Sequence, residues 1–430
     1  YDWDSEVWAG GLDFSWYDEN DVKSEYHITT PAQWEALAWI CSEDLDKLAD
    51  YKTNTNDNIK ALKGNIPTKQ NTFAGVQFYL DNDIDMGGVK AADGTWSGPN
   101  YYPVGSQAAN DLNTNCFYGL FFGSFDGQGH IVKNVYCMRN NSRVGGKGSE
   151  SVGLFGRLGA ADNTDYPAVD ITVENIAASG YIEGYRSTGG IVGKTLHVAA
   201  GNTVTVKNCM NFIDVVTKSG SKGTGGVIGA AWNSAVVENC ANFGNITGGY
   251  KSANVAGVSG ANESTLANSY NVGTVSNTVN AGNVGAVALN QMNVDVTNCY
   301  ALEGSAPGSA ASIVNGNTLV SGGWKTEAEM RSADFAKLLS GSNAGAWVQI
   351  GADYKAVSSD VAALVGEYPV PAAFAMKDPG DISWYNTTDK EFTLNTAAQL
   401  KGFASIVNGE AGIAKDDFAG KTVKLGADID

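Results

Sequence analysis

The sequence predicts an all-β chain, a parallel β-helix with α/β capping segments at its ends. Three observations predict it. A phrase of aliphatic, charged or small, Asn and apolar residues recurs at Val132-Lys133-Asn134-Val135, Val173-Glu174-Asn175-Ile176, Val206-Lys207-Asn208-Cys209, Val237-Glu238-Asn239-Cys240, Leu266-Ala267-Asn268-Ser269 and Val296-Thr297-Asn298-Cys299. The Asn-to-Asn intervals are 41, 33, 31, 29 and 30 residues. A Gly-rich phrase follows in the middle copies, at Gly190-Ile191-Val192-Gly193, Gly226-Val227-Ile228-Gly229, Gly257-Val258-Ser259-Gly260 and Gly285-Ala286-Val287-Ala288, with Gly153-Leu154-Phe155-Gly156 the earliest. Between these phrases lie short, Val-rich, alternating pieces without a long 3.6-residue apolar stripe, which favours strands joined by tight turns, one coil per repeat.

Stacked coils would turn each alignment column into a row of side chains about 4.8 Å apart. The residues two before each Asn, Val132, Val173, Val206, Val237, Leu266 and Val296, are aliphatic and suit the interior. The next column reads Lys133, Glu174, Lys207 and Glu238, so an outward ladder of alternating charge is expected. Asn in all six copies suits a left-handed turn, with amides stacked along the column. Asn211, Asn242 and Asn271 suggest a second ladder, with Phe212, Phe243 and Val272 expected inside.

Composition narrows the function classes. Of 430 residues, 53 are Gly and 43% are hydrophobic, so the chain buries a core rather than staying disordered. A net charge of −18 without a basic stripe opposes nucleic acid as a partner. No apolar run is long enough to be a transmembrane segment. Cys209, Cys240 and Cys299 share a column with Val135, Ile176 and Ser269, which reads as buried thiols acting as small hydrophobes. Cys41, Cys116 and Cys137 show no C-x-x-C spacing, so neither a disulfide framework nor zinc is expected.

The N-terminal cap spans residues 1–115. Thr30-Pro31 starts a helix whose Trp34, Leu37, Ala38 and Cys41 form an apolar stripe, and a polar insertion lies near 44–68. The β-helix repeats occupy 116–305. Residues 306–375 differ from the repeats and suit a cover or linker, with a helix over Glu327 to Leu339, then Trp347 and Tyr368-Pro369-Val370-Pro371. Residues 376–430 open a second copy of the capping unit. Ser383-Trp384-Tyr385 repeats Ser15-Trp16-Tyr17, Phe418 to Asp430 repeats Phe73 to Asp85, and Thr396 precedes a second stripe at Leu400, Phe403, Ala404 and Val407. A fragment of a longer protein built from cap-plus-coil modules is therefore expected.

The Gly153-Leu154-Phe155-Gly156 phrase with its variants, Phe125-Asp126-Gly127-Gln128-Gly129-His130 before it, and the Asp428-Ile429-Asp430 ending resemble the GLUG-motif surface proteins of bacteria. The resemblance covers nearly the whole chain. It implies right-handed β-helical repeats, a secreted or cell-surface location and adhesin-like binding of a host or glycan ligand, without a catalytic residue set or a cofactor. Some such proteins adjoin IgA-cleaving metallopeptidase domains. That activity does not carry over, because His27, His130 and His197 are each followed by an aliphatic residue and H-E-x-x-H is absent.

The residues themselves offer few candidates for chemistry. Asp81, Asp83 and Asp85 alternate, so a strand would place three carboxylates on one face for Ca²⁺. The second copy keeps Asp428 and Asp430 but has Gly426 first, which favours a role in the cap instead. A polysaccharide lyase or glycoside hydrolase would need clustered carboxylates, or bound Ca²⁺ with a basic residue; the arginines are Arg139, Arg143, Arg157, Arg186 and Arg331, and no acid stands out. Tyr181, Tyr185, Trp232 and Tyr250 either stack on sugar rings or cover coil edges. A non-catalytic surface module is therefore expected, with adhesion ahead of a structural spacer and a glycan-active enzyme the alternative class; the sequence singles out no ligand-binding residue.

Overall fold

Strands dominate this chain, with few helices, and most pair in long parallel sheets. The computed structural model describes residues 11–42, 62–105, 120–139, 151–160, 167–218, 223–232, 235–250, 254–280, 283–290, 292, 294–307, 312–316, 319–351, 353–409 and 411–429. Cys116, Arg143 and most of the 44–68 insertion lie outside them. Two compact units divide the chain, residues 1–349 with 356–374, and residues 350–355 with 375–430. "All-β" is thus a rough description, since helices occur in both units.

In the larger unit, an eight-stranded parallel sheet begins with Glu25–Ile28 and Gln77–Leu80, continues through Ser124–Asp126, Ile171–Glu174, Val204–Lys207, Val236–Glu238 and Thr265–Ala267, and ends at Val296–Thr297. Cap strands therefore lie in the same sheet as the repeat strands. A second parallel sheet contains Ile84–Asp85, Ile131–Met138, Ala177–Gly184, Met210–Thr217, Ala241–Asn242, Tyr270–Asn271, Cys299–Leu302 and Gly322–Lys325. The third climbs through Ser151–Val152, Ser187–Gly189, Gly223–Gly225 and Asn254–Ala256 to Val284–Asn290. It then doubles back through Ser259–Asn262, Ile228–Ala231, Val192–Thr195 and Phe155–Leu158, so it is nearly closed.

Asn makes the corner between the first two sheets. Asn175, Asn208, Asn239, Asn268 and Asn298 have φ between 50° and 56°, a region a β-branched residue avoids. Their amides stack: Nδ2 of Asn208 donates to Oδ1 of Asn175 at 2.9 Å, Asn239 to Asn208 at 3.1 Å and Asn298 to Asn268 at 2.9 Å. Below Asn175 the acceptor is Asp126, at 2.9 Å.

That last contact corrects the first copy of the repeat. Val173 and Glu174 pair with Phe125 and Asp126, whereas Val132 pairs with Ala178 in the second sheet. The Phe125-Asp126-Gly127 segment therefore occupies the first corner, and an irregularity in the 131–138 strand hides the offset. Glu174 sits between Asp126 and Lys207, so the expected alternation of charge fails at its first step. Glu174 still pairs with Lys207 at 3.2 Å, and Lys133 instead reaches Asp360 at 2.7 Å.

A second correction concerns the other ladder. Asn211, Asn242 and Asn271 are fully buried, while Phe212, Phe243 and Val272 point outward and are only half-buried. Nδ2 of Asn211 donates to Oδ1 of Asn242, and Nδ2 of Asn242 to Oδ1 of Asn271, each at 2.7 Å. Each Nδ2 also reaches a main-chain oxygen two residues on, so burial leaves these amide groups satisfied. The Gly-rich phrase exists for this ladder: a Cβ on Gly190 or Gly226 would lie 1.8 or 2.1 Å from the Oδ1 of Asn211 or Asn242. The displaced rings stack outside, Phe212 on Phe243 at 4.7 Å, under a cover formed by residues within 326–374. Phe243 meets Tyr368 at 5.6 Å, Tyr270 meets Trp347 at 5.3 Å, and Tyr300 meets Phe335 at 5.4 Å.

In that cover the expected single helix is two, Glu327–Met330 and Ala333–Ser340. Ser332 breaks it by accepting from the Phe335 amide as a new N-cap, after Thr326 and Glu329 have closed a capping box at the start. Trp347–Val348 pairs antiparallel with Val370–Pro371.

The cap helix forms as expected at its start, Pro31–Ile40 with Thr30 accepting from the Gln33 amide. Its apolar stripe does not describe the burial, because Trp34 through Ile40 are all buried, Glu35 included. Trp34 donates to the Tyr101 hydroxyl at 2.7 Å and Trp39 stacks on Tyr102 at 4.6 Å, so the helix is enclosed on several faces. Glu35 Oε1 accepts from the Tyr102 amide at 3.2 Å and Oε2 has no hydrogen-bond partner among the described residues. Burial holds its carboxyl well above the usual range, against the opposing pull of Arg139. The folded protein thus keeps a proton that the unfolded chain releases near pH 4.3, and stability falls as pH rises above that value. Glu35→Gln retains the acceptor and removes the ionisation, so it should match the parent near pH 4 and melt higher at pH 7–8 in parallel thermal melts.

The smaller unit repeats this cap in miniature. Glu391–Leu394 pairs in parallel with Thr422–Leu425, as Glu25–Ile28 does with Gln77–Leu80. Thr396 caps Ala397–Asn408 by accepting from Gln399, and Phe418 has φ 55° where Phe73 has 56°. A core forms from Phe392, Ile406, Ala411 and Phe418, with Trp384, Tyr385 and Phe403 against it. The expected helix stripe holds only in part: Phe403 and Val407 are half-buried, but Leu400 and Ala404 are exposed and Gly402, Ser405 and Ile406 are buried instead.

Candidate functional site

A polar and aromatic strip lies on the outward face of the second sheet. Tyr181, Asp214, Asn245 and Thr274 each follow a corner Asn by six residues, so the uniform corner places them in one column. Tyr136 and Asp214 flank Tyr181 in the neighbouring strands. Asp214 Oδ1 accepts from Asn245 through its main-chain amide at 3.0 Å and its Nδ2 at 3.1 Å, and Asn245 Oδ1 accepts from the Thr274 amide at 3.3 Å.

A hairpin, Val89–Lys90 against Trp96–Ser97, forms one wall. Asp93 closes its turn by accepting from the amide and hydroxyl of Thr95, with Gly94 at φ 88°. Gly88 brings the hairpin to the sheet, since a Cβ there would stand 2.5 Å from the Asn134 oxygen and 3.1 Å from the Tyr136 Cβ. Lys90 consequently reaches Asp214 at 3.5 Å, with its ammonium 5.8 Å from the Trp96 ring.

The Tyr181 hydroxyl donates to Glu183 Oε2 at 2.7 Å, and Lys218 reaches the same carboxylate oxygen at 2.8 Å. Burial, then the hydrogen bond and charge of Glu183, push the Tyr181 phenol up from its ordinary value, so it stays protonated as a fixed donor. The strip offers half-buried ring faces beside a carboxylate, an amide and an ammonium. Those groups together suit a hydroxyl-rich ring that stacks by its apolar face and hydrogen-bonds at its edge.

Of the aromatics singled out from sequence, only Tyr181 joins this strip. Tyr185 and Tyr250 follow the strands Ala177–Gly184 and Ile246–Gly248, whereas Trp232 follows a strand of the third sheet, under the Lys194 ammonium at 3.6 Å. Lys90, Trp96, Tyr136, Asp214 and Asn245 were not anticipated. The six-residue offset from Asn was available as a signal for Asp214 and Asn245; the offset register of residues 131–138 concealed Tyr136.

The three aspartates do not share a strand face, because the chain leaves the sheet after Leu80 and only Asp85 lies in a strand. Asp81 takes His27 Nδ1 at 2.8 Å, while Asp83 takes His130 Nδ1 at 3.0 Å and the Ser358 hydroxyl at 2.7 Å. Asp85 takes Asn134 Nδ2 at 2.9 Å. Each carboxylate thus fastens a different neighbour, and among the described residues no three His, Cys, Asp or Glu side chains are grouped to hold a metal. Cys41, Cys209, Cys240 and Cys299 are buried free thiols, and Cys137 is buried as well; burial pushes Cys299 up to about 12.

No family model matches the chain, and no curated protein matches it. A solved structure of a candidate immunoglobulin A1 protease from Bacteroides ovatus is similar, with a TM-score of 0.44 and 17% identity over 84% of this chain and 97% of that one.

Proposed function

We propose that this chain is a non-catalytic extracellular module of a bacterial cell-surface protein, a right-handed parallel β-helix that presents the Tyr136, Tyr181, Asp214 strip to a glycan. In-register strands in three parallel sheets support the β-helix reading, and the GLUG-like phrases support the surface location. One observation carries the binding role: rings, a carboxylate, an amide and an ammonium are gathered on an outward face by a hairpin that Gly88 holds against the sheet. A rigid platform of this kind binds without first ordering its side chains, which reduces the entropic cost of association.

Glycan-array screening followed by calorimetry tests this. Saturable binding is expected, and Trp96→Ala and Tyr181→Ala should each weaken it about threefold to tenfold, the worth of one stacking aromatic. Release of reducing ends or unsaturated uronates by the pure protein would replace this reading with a polysaccharide-degrading one. Absence of any glycan binding would leave the spacer role.

A further inference from the structure

The charges of the strip are not equally available to a ligand. Both carboxylates are taken up within the protein. Asp214 Oδ1 holds the main-chain amide and the Nδ2 of Asn245, and its Oδ2 faces Lys90. The Glu183 side chain is only 1% exposed, and one of its oxygens holds both the Tyr181 hydroxyl and the Lys218 ammonium. The ammonium groups are placed differently. The Lys90 and Lys218 side chains are 51% and 63% exposed. Each ammonium carries three donors against the one carboxylate oxygen it meets, at 3.5 Å for Lys90 and 2.8 Å for Lys218. A ligand on this face therefore meets cationic donors rather than open carboxylate acceptors.

Both ammonium groups are tied to the Tyr181 ring. Asp214, which meets Lys90, is the partner of Tyr181 in the next strand, and Glu183, which meets Lys218, lies two residues after it, about 7 Å along an extended strand. A linear chain with a carboxylate on each sugar can meet both, whereas a single terminal acid meets one. We propose that the strip selects a short uronate chain, whose sugars stack on Tyr181 and Trp96 while carboxylates of neighbouring sugars meet Lys90 and Lys218. This rests on the glycan reading of the strip and adds its charge class. The net charge of −18 repels a polyanion at long range. Exposed charges more than about 8 Å apart are largely screened at physiological salt, so for a ligand with few charges the two contacts decide.

Calorimetry on the full chain, with a uronate hexasaccharide and its neutral, carboxyl-reduced counterpart, tests this; a chelator keeps divalent cations from bridging protein and sugar. The acidic form should bind about fivefold or more tighter. Lys90→Gln and Lys218→Gln, both at exposed positions, should each lower that ratio by about twofold to fivefold, the worth of one exposed ion pair. Equal binding of the two forms, still weakened by Tyr181→Ala, overturns the charge assignment and leaves the glycan reading standing. Absence of binding to these and to every other glycan removes both readings. A sialylated oligosaccharide that binds more tightly than the hexasaccharide, with the loss confined to one lysine variant, also overturns the proposal, since the ligand would then be a single terminal acid.

Discussion

Asn242→Leu is expected to destabilise the larger unit by about 3–6 kcal/mol, two or three orphaned groups at roughly 1–3 kcal/mol each. Asn242 is the middle rung of the buried ladder. Its Nδ2 donates to Asn271 at 2.7 Å and to the Gly244 oxygen at 2.9 Å, and its Oδ1 accepts from Asn211. Leucine has similar size but no partner for any of the three, at a site with zero solvent exposure. The branched side chain also meets the backbone of Gly226, where even a single added carbon would lie 2.1 Å from the present amide oxygen. Asn211→Leu should be costly too, yet the double variant should lose less than the sum, because removing both partners removes the shared orphan. Urea midpoints for the two single variants and the double variant, with the slope checked for constancy, measure the coupling. Additive losses would mean that the two amides do not act as one ladder.

What the sequence disclosed divides along the same line. The aliphatic column, the left-handed Asn corner and the second cap were legible because each repeats a residue type whose local physics is decisive: an L-residue that tolerates positive φ, or a hydroxyl before a helix. The orientation of Asn211 and Phe212 was not legible. Intrinsic hydrophobicity assigns phenylalanine to the interior, but a stacked amide that satisfies its own hydrogen bonds in each repeat can be buried at little cost, and the cover within 326–374 supplies the rings with a second apolar surface from distant sequence. The first repeat misled for a different reason: Gln128, at φ 53°, and Gly127 do the work of the corner Asn there, so matching by residue identity selected Asn134, which has φ 56° but stacks on Asp85. The candidate strip needed two things that spacing does not carry, the register of Tyr136 against Tyr181 and the approach of a hairpin at Gly88. Alternation gives Asp81, Asp83 and Asp85 a common face only while the chain remains a strand, and here it leaves the sheet after Leu80.

Val237→Asp tests the stacking itself. Val237 has zero exposure, with Val206 and Leu266 as its partners in the strands on either side, and Val173 and Val296 beyond them in the same column. A carboxylate there is buried between aliphatic neighbours in its column, so the expected loss at pH 7 is about 4 kcal/mol or more, enough to unfold a domain of ordinary stability. Because desolvation raises the folded-state pKa of such an aspartate, the variant's deficit grows as pH climbs above about 3.9, the unfolded value, and shrinks toward pH 4 and below as the group is protonated in both states. The adjacent residue provides the control. Glu238 points the other way, is half-buried and is followed in its column by Ala267, so Glu238→Gln should change stability by no more than about 1 kcal/mol. Thermal melts of the two variants at pH 4 and pH 7 therefore separate a column of buried side chains from a strand that could slip by one residue: a slip would exchange the two faces, and the large effect would move from position 237 to 238.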